Sequence, residues 1–83
     1  MVTSSSSTAG KPFLVYTPAS LGAALRHYRI QAGLTQAQLA KMAGLTRQYV
    51  SALENGLETE QLRKLFALFR VLRLTVVLRQ QNK

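Results

Sequence analysis

Cysteine is absent from the 83 residues, so neither a disulfide framework nor a thiolate metal site is available. Acids are scarce as well: Glu54, Glu58 and Glu60 stand alone against eleven Lys and Arg. Histidine occurs once, at His27, and without a second ligand of its kind it reads as a surface residue. No hydroxyl has a base and an orienting group beside it, so no catalytic residue, metal or cofactor is expected and an enzyme is disfavoured. Long apolar runs are missing too. LFALF, residues 65–69, is among the longest and is far too short to span a membrane. The polar start lacks the apolar core of a signal peptide, which points to a cytoplasmic protein. A chain of 83 residues has room for one domain with a modest core, which dimerisation would help.

What the chain does have is positive charge, a net +8, which suits a polyanion such as nucleic acid. The bland alternative is that the charge only keeps a 47% hydrophobic chain soluble. Residues 35–55, TQAQLAKMAGLTRQYVSALEN, decide between them, because they read as two short helices joined by a tight turn. Thr35 caps the first helix, and Gln38 completes a capping box, with Leu34 and Leu39 as a hydrophobic staple. Gly44 takes the left-handed conformation that stops this helix, and Leu45 follows it back towards the core. Thr46 caps the second helix, stapled by Leu45 and Val50. Ala40 is small where a larger side chain would push that helix away. Such a pair is a helix-turn-helix.

Around this unit the chain divides into three expected parts. Residues 1–12 begin with MVTSSSSTAG, a Ser/Thr-rich tail with too little apolar bulk to be ordered. Residues 13–73 form the helical domain, opened by the β-type run FLVY as an extended arm or simple lead-in. Thr17 and Pro18 start a first helix that runs to about Ala32 and stops at Gly33. Leu21, Ala24, Leu25, Tyr28 and Ala32 fall on its core face. Thr59 caps a fourth helix whose buried stripe is Leu62, Leu65, Phe66, Phe69 and Leu72, while Leu68 and Val71 widen the apolar surface towards a partner. Residues 74–83 hold a terminal strand, formed by Leu74, Thr75, Val76, Val77, Leu78 and Arg79. A lone strand leaves an unpaired edge, so it pairs either with the same strand of a second copy or with residues 13–16 of its own chain.

Small Ala40, turn Gly44, apolar Val50 and Leu53, and the ending Leu53-Glu54-Asn55-Gly56 resemble the helix-turn-helix of the phage-repressor-like (Cro/C1, XRE) DNA-binding domains. The order of Tyr16-Thr17-Pro18, this motif, a fourth helix and an apolar terminal strand is similar to the HipB-type antitoxins of HipBA-type toxin–antitoxin pairs. The resemblance implies an all-α, lambda-repressor-like four-helix domain whose C-terminal β-strand pairs across a homodimer. It also implies a sequence-specific repressor that autoregulates its operon and binds a HipA-like Ser/Thr kinase toxin. With the chain ending at Lys83 soon after the strand, toxin contact is expected on the body, the arm or a DNA-mediated assembly. A stand-alone XRE repressor and a protein-interaction scaffold are the competing functions.

Spacing assigns the parts on the second helix of the motif. Val50 and Leu53 face inward, leaving Arg47, Gln48, Ser51 and Ala52 outward and Thr46 and Tyr49 at the rim. Arg matches guanine, Gln matches adenine, and the Ala methyl touches thymine, so Thr46, Arg47, Gln48, Ser51 and Ala52 are the expected base contacts. Thr35, Gln36, Lys41, Tyr49 and Asn55 are the expected phosphate contacts, Gln36 also because it opens a helix whose free N–H groups face an anion. By resemblance, Arg47, Gln48 and Ala52 match base-reading positions, Gln36 and Asn55 match phosphate-holding ones, and Arg29 pairs with Glu54. A dimer presenting two such helices about one DNA turn apart, ~34 Å, prefers a palindromic operator in double-stranded DNA.

Overall fold

The computed structural model describes residues 12–81. The tail expected at residues 1–12 lies outside them, apart from Pro12. Strand β1 (Phe13–Val15) leads into helices α1 (Pro18–Gln31), α2 (Gln36–Ala43), α3 (Arg47–Glu54) and α4 (Glu60–Val71), and strand β2 (Val76–Leu78) follows. Each helix begins in the same way. Thr17, Thr35, Thr46 and Thr59 lie in extended backbone, and each hydroxyl accepts the N–H three residues on, at 3.0–3.1 Å. For helices of eight residues such as α2 and α3, too short to be stable alone, satisfying an orphan donor at each start matters most. Gln38 closes a capping box at Thr35, and Ser20 does the same at Thr17. Three helix ends turn through glycine at positive φ, whereas α4 turns through Arg73 at φ 58°.

Two apolar centres result. One gathers Val15, Ala24 and Phe66, ringed by Phe13, Leu21, Leu62, Phe69, Val76 and Leu78, where the sheet meets α1 and α4. Phe66 and Phe69 pack edge to face there, with ring centroids 5.6 Å apart. The other lies under the α2–α3 turn, where Ala40 and Val50 are buried and Leu25, Leu39 and Leu53 are partly covered.

The partner of the terminal strand is the other end of the chain. β2 pairs antiparallel with β1 in the register Phe13 to Leu78, Leu14 to Val77 and Val15 to Val76. Of the two partners weighed for β2, its own chain's residues 13–15 take one edge, which leaves pairing with a second copy to the other edge. The strand is also shorter than expected, with Leu74, Thr75 and Arg79 outside it. Alternation explains the choice, since Val15 and Val76 turn to the core while Leu14 and Val77 turn out. The Tyr28 hydroxyl donates to the Leu78 carbonyl at 3.1 Å, and the Phe13 ring lies 4.8 Å from His27 and 5.5 Å from Tyr28. On α4, Phe66 is buried and Leu62 and Phe69 are partly so, but Leu65 is exposed, as are Leu72 just past its end and Ala32 just past the end of α1. Helical period alone does not say how wide a face the rest of the chain covers.

A contact hidden from periodicity lies at Gly22, in the middle of α1. A Cβ built there would stand 2.1 Å from the Leu53 carbonyl oxygen and 2.9 Å from that of Glu54. The glycine lets α1 press its backbone against the end of α3. Gly22→Ala, which in an open helix would stabilise by about 0.5–1 kcal/mol, should here destabilise by roughly 1–3 kcal/mol by forcing the helices apart. Urea unfolding of the two proteins measures the sign, and a gain in stability would contradict the close approach.

Candidate nucleic-acid interface

Helices α2 and α3 are joined by a turn in which Gly44 adopts φ 75° and the Leu45 N–H donates to the Ala40 carbonyl at 2.8 Å. Thr46 then begins α3, and Val50 and Leu53 point its apolar side inward. Arg47, Gln48 and Tyr49 are exposed in its first turn. Ser51 and Ala52 are half-buried, so less of each is offered outward than helical spacing alone implies. Asn55 caps the far end, its Nδ2 donating to the Ser51 carbonyl at 3.0 Å. Lys41 is exposed in the last turn of α2. Thr35 and Thr46 are exposed, but each already accepts a backbone N–H as a cap, so what they still offer is a hydroxyl proton.

Neither α2 nor α3 carries an acid in its first turn, although carboxylates are the usual stabilisers there. The positive end of α3 therefore stays free of carboxylate, whereas at α2 the Glu54 carboxylate lies against Gln36 in the first turn. The acids lie elsewhere. Glu60 sits at the start of α4, 3.4 Å from Lys64, and Glu54 is turned inward.

Arg29 and Glu54 meet in a two-pronged pair. Arg29 Nε donates to Glu54 Oε2 at 2.6 Å and Nη2 to Oε1 at 3.0 Å, while Nη1 donates to the Leu34 carbonyl at 2.9 Å. Gln36 Nε2 adds a further bond to Glu54 Oε1 at 3.0 Å. The head of Gln36, expected on a phosphate, is thus turned to the ion pair. One guanidinium ties α1 to the loop before α2 and to the end of α3. Among the described residues no buried side-chain polar atom lacks a partner, which lets a carboxylate 9% exposed stay charged. Its pKa is held below the usual carboxylate range, first by the hydrogen bonds from Arg29; burial opposes this, and Gln36 and the charges of Arg29 and Arg26 assist.

Sequence reasoning misses the Gln36 to Glu54 bond, the Arg29 to Leu34 bond and the Gly22 contact. A glycine inside a helix was the one available signal, since such a residue costs about 1 kcal/mol against Ala unless packing requires it. Among the described residues no group of His, Asp and Glu is placed to hold a metal ion, and no helix is long and apolar enough to cross a membrane.

Comparison with known families places a match on this unit. The HTH_3 model, described as helix-turn-helix, matches residues 25–78, more than half of the chain. No curated protein and no solved structure matches it.

Two outcomes are expected. Arg47→Ala should cost about 1–3 kcal/mol of binding and relax one base position, whereas Lys41→Ala should weaken all duplexes alike; binding to a panel of single-base variants separates the two. Because Glu54 has the lower pKa when folded, its contribution to stability is whole above the ordinary carboxylate range, about pH 4–5, and is lost as pH falls through the folded value. Glu54→Gln should therefore melt lower at neutral pH and lose less on acidification, and parallel melting curves across pH would refute it.

Proposed function

The chain belongs to the helix-turn-helix (HTH_3) family of Cro/C1, XRE-type DNA-binding regulators, and on that premise we propose that it is a dimeric, cytoplasmic repressor of the HipB kind. It binds a palindromic operator in its own promoter and a HipA-like Ser/Thr kinase toxin. The observation that carries DNA reading is the start of α3, where Arg47 and Gln48 stand exposed on a helix end free of acids. Arg29 balances Glu54 internally, and the other Lys and Arg among the described residues are exposed, where they attract phosphate.

A second copy is favoured by the surface beyond the motif. Leu65, Leu68 and Val71 of α4 are exposed together with Leu72, Leu74 and Val77 beyond it, and Val71 reaches 79%. An apolar patch of that kind on a small basic domain marks an interface. In the proposed dimer the α4 faces of two copies cover one another. The outer edge of β2 joins that of its mate, giving a four-stranded sheet with β1 of each copy outermost. The toxin partner rests on the HipB-type resemblance alone, chiefly on the Tyr16-Thr17-Pro18 start and the apolar strand.

The test is the composition of the complex captured by a tagged copy from its native cells, with and without nuclease. A stoichiometric kinase-sized protein that survives nuclease supports the antitoxin reading; a bare dimer carrying only DNA leaves a stand-alone repressor. Val71→Glu, at an exposed site, should yield a folded monomer that retains weak DNA affinity but no preference for two half-sites over one. An undisturbed dimer by sedimentation would remove α4 from the interface.

A further inference from the structure

Glu54 closes α3, and its buried carboxylate accepts from two elements at once, Arg29 of α1 and Gln36 of α2. Arg29 also holds the Leu34 carbonyl just before α2 begins. The start of α2 is thereby tied to the end of α3, directly by Gln36 and indirectly by Arg29. At the opposite corner the Gly44 turn ties the end of α2 to the start of α3. Two helices tied at both corners have one relative angle. Released at one corner, they hinge about the other.

We infer that Gln36 is a positioning residue for base recognition, acting through Glu54 to set the tilt of α3, with phosphate holding secondary. The inference rests on the DNA-reading proposal above and assigns its specificity to a side chain that touches no base. The physical reason lies in tolerance. Bidentate bonds to base edges need a fixed approach, whereas phosphate contacts survive small rotations. A side chain that only held phosphate would, on removal, weaken every duplex equally. One that sets the tilt would, on removal, lower discrimination by more than it lowers general affinity. Length matters too, because the Nε2 to Oε1 distance is 3.0 Å and the amide is neutral. Charge matters equally: a glutamate at position 36 would set two carboxylates face to face. The charged groups around that pair are Arg26 and Arg29 on α1 and Glu54 on α3, while the first turn of α2 adds no acid.

The experiment uses the full chain with Gln36→Met, which keeps the bulk and loses the hydrogen bond, and Gln36→Glu. Each is titrated with the duplex that the wild type selects from a random pool and with a scrambled duplex. Gln36→Met should lower the ratio of the two affinities about tenfold, the selected duplex losing far more than the scrambled one. Gln36→Glu should lose the ratio at about pH 8 and recover it towards pH 5, as a proton shared by the two carboxyls restores the donor; the wild type should show no such recovery. Equal loss on both duplexes at every pH would overturn the inference. A wild type that selects no duplex would count against DNA reading itself. Amide exchange then decides the role of Gln36: faster exchange in the last turn of α3 but not in α4 sustains it, and unchanged exchange rejects it.

Discussion

One buried charge pair governs this molecule. The Arg29 guanidinium gives two bonds to Glu54 and one to the Leu34 carbonyl, so a single planar group spans three chain segments. An arginine can do this and a lysine cannot, because only the rigid fork reaches a carboxylate with two donors and a carbonyl with a third. The pair is not a cheap source of stability. Removing two charges from water costs much of what their attraction returns, and an apolar replacement of like shape is often as stable. What such a pair adds is direction. Apolar packing between short helices tolerates sliding, whereas fixed donor and acceptor positions allow one crossing. A domain that must hold one helix at a set angle to a groove has use for that rigidity.

The helices themselves are made locally. With only eight residues each, α2 and α3 have as many orphan backbone groups as satisfied ones, so their ends decide whether they exist. Threonine meets that need four times, and its position in the chain marks each start. Gly44 meets it at the turn. Arg73 is the exception, a non-glycine residue in left-handed backbone whose strain is offset by the 2.8 Å bond from the Leu74 N–H to the Phe69 carbonyl. That same turn brings the chain round from α4 to β2.

Local chemistry is also what the sequence makes legible. Thr17, Thr35, Thr46 and Thr59 identify all four helix starts, and Gly44 identifies the turn, because capping and left-handed backbone depend on a few neighbouring residues. The inward set of α3, Val50 and Leu53, follows from period alone. What depends on distant segments is harder to read. The β-type run at residues 74–79 shows that a strand exists, but either of two edges could satisfy it. Leu65 and Leu72 have the spacing of core residues and lie exposed, because a helix pattern records how much surface is apolar and not which body covers it. Gln36 looks like a phosphate ligand from its place in the first turn; only the packing of α3 reveals the carboxylate beside it. Gly22 signals only that something comes close to its helix; that it is the backbone of Leu53 and Glu54, far along the chain, depends on the packing.

The pairing of Phe13 with Leu78 also sets a topological closure. The described chain leaves from one corner of the sheet and returns to it, so the first and last elements jointly complete the centre around Val15, Ala24 and Phe66. Residues 35–55 pack on α1 as well as on each other, whereas burial of Val15 needs β2, from the far end of the described chain, in place. The pairing of Phe13 with Leu78 spans more chain than any contact within the helix-turn-helix, and closing that loop costs correspondingly more entropy. During synthesis the helix-turn-helix emerges well before the strand that shields the other centre. Until residue 78 is free to fold back, the newly made chain keeps an open apolar seam along α1 and α4.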